Sequence, residues 1–88
     1  MKTITVEIID PIGIHARPAS VLVNVSSKFK SNVSFKSNDK IANAKSIINL
    51  MALGAKQGSK VEIIVEGDDE AEAIEQIKET MKKEKLID

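Results

Sequence analysis

Three segments of this sequence alternate apolar and polar residues, and this alternation limits the folds that the chain can adopt. Successive side chains of a β-strand point to opposite faces of a sheet, so a period of two predicts a strand with one apolar face. A sheet built from such strands is covered on one side and faces water on the other. The inward residues predicted by the alternation are Ile4, Val6, Ile8, Val33, Phe35, Val61, Ile63 and Val65.

Two other segments have the apolar spacing of amphipathic helices, and a short apolar cluster lies between them. The first starts near Ala16, and the second starts at Asp69, which we expect to form a capping box with Glu72. Between them lies a short helix, with Ser46 as a suitable N-cap and Gly54 as a suitable C-cap. The predicted inward positions of the first and third helices are Ala19, Leu22, Val23, Ser26, Phe29, Ala71, Ile74, Ile77 and Met81.

The order of these elements is β-α-β-β-α-β-α, with a tight turn at Ser37-Asn38-Asp39-Lys40 that leads into a short third strand at residues 40–43. We predict an α+β fold in which a four-stranded antiparallel sheet is covered on one face by three helices. A chain of 88 residues is long enough for one thin core, so we expect a single domain spanning residues 1–88.

Composition argues against several classes of function. The sequence has no cysteine and one histidine, so it lacks the ligands of a typical zinc site. Its formal net charge is +0 and its only aromatic residues are two phenylalanines, which disfavours a nucleic-acid-binding module. No apolar run reaches the roughly 18–20 residues that span a bilayer, and no signal-peptide pattern is present. We therefore expect a cytoplasmic protein with no metal, cofactor, membrane insertion or direct contact with nucleic acid.

The single histidine, His15, has neighbours that suit phosphate chemistry. It lies in the segment Gly13-Ile14-His15-Ala16-Arg17-Pro18-Ala19-Ser20. Pro18 is typical of the first turn of a helix, where a missing N–H costs little. A helix N-terminus offers free backbone N–H groups and a partial positive charge, and both favour an anion. An imidazole at such a place can accept a phosphoryl group and hold it where it lands, with Arg17 two residues further on.

Two sequence motifs resemble those of the HPr family, the histidine-containing phosphocarriers of the bacterial sugar phosphotransferase system. The segment at residues 13–19 resembles the active-site signature of that family. The segment Lys45-Ser46-Ile47-Ile48-Asn49-Leu50-Met51-Ala52-Leu53-Gly54 resembles its second signature, around a regulatory serine. The resemblance extends over nearly the whole chain and implies an open-faced β-sandwich, which agrees with the fold predicted above.

The resemblance also implies a function. A member of this family is a carrier rather than an enzyme: it takes a phosphoryl group from enzyme I, charged by phosphoenolpyruvate, and passes it to sugar-specific enzyme IIA domains. His15 would be the phosphorylated histidine and Arg17 its basic companion. Ser46 would be the serine that the HPr kinase/phosphorylase modifies in many relatives, whose Ser-phosphorylated form binds a catabolite-control transcription factor. Asn49 stands where many of those relatives have glycine.

We expect both motifs to contribute to one docking surface for partner proteins. A short helix cannot bury every side, so some apolar residues beside His15 remain exposed and form a contact patch. Charge added at Ser46 would then hinder docking. The residues that we assign to this surface are Ala16, Ser20, Ile47, Ile48 and Met51. We expect a monomer, and the alternative function is that of a regulatory relative acting mainly through phospho-Ser46.

Overall fold

The computed structural model describes residues 1–88 and contains the helices and strands in the predicted order. The strands are β1 (Lys2–Glu7), β2 (Asn32–Ser37), β3 (Lys40–Asn43) and β4 (Lys60–Glu66). The helices are α1 (Ala16–Ser26), α2 (Ile47–Ala52) and α3 (Glu70–Lys83). None of the three helices combines the length and the apolar character needed to cross a bilayer.

The four strands form one antiparallel sheet in the order β1-β4-β2-β3. Ile63 of the inner strand β4 lies opposite Ile4 of β1 and Phe35 of β2. In the turn between β2 and β3, Asn38 and Asp39 have φ angles of 51° and 67°. These side chains tolerate the left-handed conformation better than most, so the predicted hairpin forms where the sequence places it.

The helices pack on one face of the sheet and leave the other face open. Along β4 the residues Val61, Ile63 and Val65 are buried, while the residues between them are partly exposed. Ile4 and Val6 are only half-buried, because β1 is an edge strand with one neighbour. The core consists of 19 buried apolar residues contributed by both layers. The predicted α+β open-faced sandwich is therefore confirmed.

The predicted capping box at the start of α3 is absent. Asp69 is the N-cap residue, but its side chain accepts no hydrogen bond from the helix. Its carboxylate instead accepts from the backbone N–H groups of Lys30 (2.9 Å) and Ser31 (3.0 Å) and from the Ser31 hydroxyl. The prediction was wrong because these donors, which precede β2 and are distant in sequence, compete with the local N–H groups for one carboxylate.

The buried face of α3 is also shifted from the predicted one. Ala71 is exposed and Ala73 is buried, whereas Ile77 and Met81 are buried as predicted. Ala71 precedes Ile77 by six residues, which places it about 240° around an axis that turns about 100° per residue. Ala73 precedes Ile77 by one full turn and so shares its face.

Candidate functional site

His15 follows a loop whose backbone is fixed by hydrogen bonds. The Gly13 N–H donates to the Asp10 carbonyl (3.0 Å), and the Ile12 N–H donates to Asp10 Oδ1 (2.8 Å). An aspartate that accepts from the backbone two residues further on is a common way to form a turn. The Ile14 N–H donates to the Ala55 carbonyl (3.1 Å), which joins this loop to the segment after α2. These bonds fix the loop that leads into α1.

His15 is the N-cap residue of α1, in agreement with the prediction that it lies at the helix start. Its carbonyl accepts the Ala19 N–H (2.9 Å), but its imidazole makes no capping hydrogen bond. The side chain is 35% exposed, and Nε2 lies 3.8 Å from Asp10 Oδ2. This distance is too long for a hydrogen bond but short enough for attraction between the carboxylate and a positively charged ring.

A shallow polar cavity of about 360 Å³ lies beside His15. The β1–α1 loop, the first turn of α1 and the end of α3 form its walls. The lining residues are Asp10, His15, Arg17, Pro18, Lys83, Glu84 and Lys85. Arg17, which lines this cavity, is exposed. No cluster of three or more His, Cys, Asp or Glu side chains suited to a metal ion occurs in the protein.

Two parts of this cavity are not identified by reading the sequence. Asp10 reads only as part of a loop that ends a strand, and Lys83 and Lys85 read as a solvated helix end. The pattern Asp10-Pro11-Ile12-Gly13 does signal a turn stabilised by an aspartate side chain, and this could have drawn attention to Asp10. No local pattern reports that the end of α3 reaches His15, because that depends on how α3 packs.

Ser46 is the N-cap residue of α2, as predicted, and Asn49 binds its hydroxyl. Ser46 Oγ accepts from the backbone N–H and from the side-chain amide of Asn49, each at 3.2 Å. Asn49 Oδ1 accepts in turn from the backbone N–H of Asn43 (3.4 Å). An asparagine at this position therefore connects the serine hydroxyl to the end of β3, a connection that glycine could not make.

Three of the predicted docking residues are exposed apolar side chains on α2. Ile48 is 80% exposed, Met51 46% and Ile47 40%. The helix packs through the fully buried Leu50 instead. Exposed apolar side chains grouped on one short helix are typical of an interaction surface.

The other two predicted docking residues lie on α1, which packs against α2. Ala16 is exposed and Ser20 is half-buried. Both are in the first two turns of the helix that starts at His15.

Comparison with known proteins identifies the family. The family model "PTS HPr component phosphorylation site" matches residues 2–83. Over 88 residues the chain is 48% identical to the phosphocarrier protein HPr of Mycoplasma pneumoniae, covering 99% of this chain and 100% of that protein.

Solved structures give the same result. The histidine-containing phosphocarrier protein of Mycoplasma superimposes with a TM-score of 0.96, at 44% identity and over 98% of both chains. Crh, a catabolite repression protein of Bacillus subtilis described as a dimer with a swapping domain, matches with a TM-score of 0.75, at 35% identity and over 100% of both chains. From the match to the family model and the similarity to these proteins, the chain belongs to the HPr family, the phosphocarrier proteins of the phosphotransferase system.

Proposed function

We propose that this chain receives a phosphoryl group on His15 from phosphorylated enzyme I and passes it to sugar-specific enzyme IIA domains. The observation that carries this proposal is the position of the only histidine, which is accessible at the N-cap of α1 and shares a polar cavity with Arg17. The free N–H groups at the start of α1 favour an anion at this place. The chain is then a carrier, because the group that it accepts leaves again in the next transfer.

Nδ1 is the ring nitrogen that we assign to the attack, because Nε2 faces Asp10 Oδ2 at 3.8 Å. The Nδ1 lone pair forms a bond to phosphorus while the bond between phosphorus and the donor atom of enzyme I breaks, and the donor atom keeps that electron pair. The proton on Nε2 remains in place, so the phosphorylated ring is positively charged beside the Asp10 carboxylate. A positively charged ring is a good leaving group, which suits the second transfer.

Arg17 is proposed to bind the phosphoryl oxygens. During phosphoryl transfer, charge is spread over three oxygens, and stabilisation comes mainly from positioning and electrostatics. Two unit charges ~4 Å apart interact by ~1 kcal/mol in water and by ~4 kcal/mol at an effective dielectric constant of about 20. Because Arg17 is exposed in the free protein, we expect its contribution to be greatest in a docked complex that excludes water.

The docking surface that we propose consists of Ala16, Ser20, Ile47, Ile48 and Met51. The exposed apolar side chains of α2 and the packing of α2 against α1 support this assignment. We propose that the protein acts in the cytoplasm as a monomer and as a single domain over residues 1–88. Sedimentation of the free and phosphorylated protein tests the monomer, since a dimer has been described for the related Crh.

The test of the carrier function is incubation with enzyme I and phosphoenolpyruvate bearing a ³²P label. We expect the wild-type protein to take up label that is lost in acid, the His15→Ala variant to take up none, and the Ser46→Ala variant to behave like wild type. Acid-labile label on His15→Ala would exclude His15 as the acceptor.

A second variant tests the role of Arg17. We expect Arg17→Ala to fold normally and to transfer its phosphoryl group to enzyme IIA at least about tenfold more slowly, because a charged donor to the phosphoryl oxygens is removed. An unchanged rate of transfer would refute this role.

We also propose that phosphorylation of Ser46, by a kinase of the HPr kinase/phosphorylase type, regulates docking. The two N–H donors of Asn49 at Ser46 Oγ support this, because they would remain available to a phosphate at the same place. A phosphate adds roughly −1.5 to −2 charges beside the exposed side chains of Ile47 and Ile48, which disfavours burial of that patch against a partner. The phosphorylated form is then available to a catabolite-control transcription factor.

The Ser46→Asp variant tests the docking effect. We expect a higher KM for this protein in the enzyme I reaction and a nearly unchanged kcat. The matched control is Ser34→Asp, which places the same charge on the open face of the sheet. An unchanged KM combined with a lower kcat for Ser46→Asp would contradict the docking account.

A second candidate function is regulation through phospho-Ser46 alone, and the similarity to the catabolite repression protein Crh favours it. The two functions differ in the chemistry of the bound phosphate. A protein that only regulates would carry acid-stable phosphoserine and would take up no acid-labile label from enzyme I.

A further inference from the structure

We propose that Lys83 and Lys85, at the end of α3, form a second cationic wall of the His15 cavity and stabilise the phosphorylated state together with Arg17. This inference rests on the proposed phosphorylation of His15. Both lysines line the same cavity as His15 and Arg17, although they are distant from them in sequence. They would act as positioning residues for the phosphoryl group rather than as the nucleophile.

The backbone that carries the two lysines is fixed beside the site. After α3 the chain turns at Lys85, which has a φ angle of 59°. The Leu86 N–H donates to the Met81 carbonyl (2.9 Å), and the Leu86 carbonyl accepts the Ile9 N–H from the loop before His15 (2.8 Å). Leu86 is completely buried. The segment after α3 is therefore anchored to the β1–α1 loop, and its lysines stay near the cavity.

The charges in the cavity favour an added anion. Arg17, Lys83 and Lys85 supply three positive charges, while Asp10 and Glu84 supply two negative charges. The C-terminus of α3 contributes a partial negative charge of its own, which nearby lysines offset. A phosphoryl group brings up to about two further negative charges. Without the two lysines the cavity would have a net negative charge, and it would repel the group that His15 is proposed to hold.

The phosphoryl transfer potential of the carrier depends on this balance. Cations that stabilise the phosphohistidine shift the equilibrium of phosphoryl exchange toward the carrier that has them. Exposed ion pairs contribute little each, so we expect the two lysines together to change this equilibrium by about two- to fivefold. The lysines would thus affect how favourable it is for His15 to transfer its phosphoryl group to the next protein.

The experiment is an exchange at equilibrium between two versions of the full chain. Phosphorylated wild type is mixed with an equal amount of unphosphorylated Lys83→Gln/Lys85→Asn variant and a catalytic amount of enzyme I. Phosphoryl groups then move from one His15 to the other through enzyme I, with one nitrogen–phosphorus bond broken for each one formed. Asparagine is chosen at position 85 because it tolerates a positive φ. The wild type is labelled with ¹⁵N so that the two versions differ in mass, and mass spectrometry of the intact proteins gives the phosphorylated fraction of each.

The matched control is Lys36→Gln/Lys82→Gln, which removes the same charge from residues that do not line the cavity. For equal amounts of the two proteins the ratio of phosphate held is the square root of the equilibrium constant, so we expect the cavity variant to hold about 1.4- to 2.2-fold less phosphate than wild type. We expect the control to hold an equal share. The difference is expected to vanish near 1 M salt, where the Debye length is about 3 Å.

Equal shares for the cavity variant and wild type at low salt would overturn the inference, as would a difference that persists at high salt. Failure of the wild type to take up phosphate would instead overturn the proposed function. Thermal unfolding of each variant verifies that the compared proteins are folded.

Discussion

At the scale of single residues, Gly13 allows the loop before His15 to pack closely against the segment after α2. Its φ angle of +85° is left-handed, and a Cβ at this position would overlap the Ala55 carbonyl and lie 2.9 Å from the Lys56 Cα. The loop before His15 and the segment after α2 can therefore approach each other only because a hydrogen atom replaces a side chain here. The position of His15 depends on this contact as well as on its own hydrogen bonds.

We predict that Gly13→Ala lowers the free energy of unfolding by about 2–4 kcal/mol, because it adds an overlap to the cost of a left-handed alanine. Gly58→Ala is the matched control: Gly58 has a φ angle of +89°, but a Cβ there meets no atom within 4 Å. We expect this control to lose only about 1–2 kcal/mol. Urea denaturation measures both values, and equal losses would show that the contact with Ala55 is unimportant.

The sequence is informative about residues whose role depends on their immediate neighbours. The placement of His15 at a helix start follows from Pro18 and from the spacing after it, and the cap at Ser46 follows from the apolar run that it precedes. Asp10 is different, because the 3.8 Å approach of its Oδ2 to Nε2 of His15 is a contact made across the folded loop. A distance across a loop leaves no periodic signal in the sequence.

At the scale of elements, the Asp69 carboxylate ties the start of α3 to the start of β2. It binds Lys30 and Ser31, and Gly67 packs so closely on Ser31 that a Cβ there would overlap it. The hydrogen bond from the Ser31 hydroxyl, followed by that from the Lys30 N–H, lowers the pKa of Asp69 below its usual range. The sequence does not predict these hydrogen bonds, because Lys30 and Ser31 are distant from Asp69 in the chain and an aspartate before a helix is typical of a local cap.

We predict that the hydrogen bonds accepted by the Asp69 carboxylate make the free energy of unfolding depend on pH. The pKa of Asp69 is lower in the folded than in the unfolded protein. The contribution of its carboxylate to the free energy of unfolding is therefore present above the unfolded pKa of about 4, and it is lost as the pH falls through the folded pKa. Asp69→Asn is expected to reduce the free energy of unfolding at neutral pH and to converge with wild type in acid. Urea denaturation across this pH range measures the difference.

The matched control for this prediction is Asp68→Asn. Asp68 is adjacent and exposed, and it takes part in none of the side-chain hydrogen bonds of this region. Its substitution is expected to leave stability nearly unchanged at every pH. If Asp69→Asn remained less stable than wild type by the same amount in acid, the loss would not come from the carboxylate charge.

At the scale of the whole molecule, the layer of helices on one face of the sheet has apolar residues on both its inner and its outer side. The inner side of this layer fills the core with residues such as Leu22, Leu50 and Ile77. Its outer side presents Ile48 and the neighbouring apolar residues of α2 to solvent. Alternation and helical spacing predict this layered arrangement, but exposure within the short apolar run of α2 is decided by packing.

We predict that Ile48→Ala weakens docking to enzyme I without affecting the fold. Ile48 is 80% exposed, so the free energy of unfolding is expected to change by less than about 0.5 kcal/mol. The loss of an apolar contact at an interface costs about 1 kcal/mol or more, which corresponds to a KM about fivefold higher. The control is Ile64→Thr on the open face of the sheet, and an equal rise in KM for both would contradict a localised docking surface.

The strand order has a consequence for the time at which the site is completed during synthesis. β1 precedes His15 in the chain, but its pairing partner β4 is made much later. In the loop between β1 and α1, the Ile14 N–H donates to the Ala55 carbonyl and the Ile9 N–H donates to the Leu86 carbonyl. Contacts between such distant residues form late, because the chain between them must exist and be ordered first. A nascent chain that ends before Ala55 therefore already contains His15 but lacks both of the carbonyl groups that hold the loop before it.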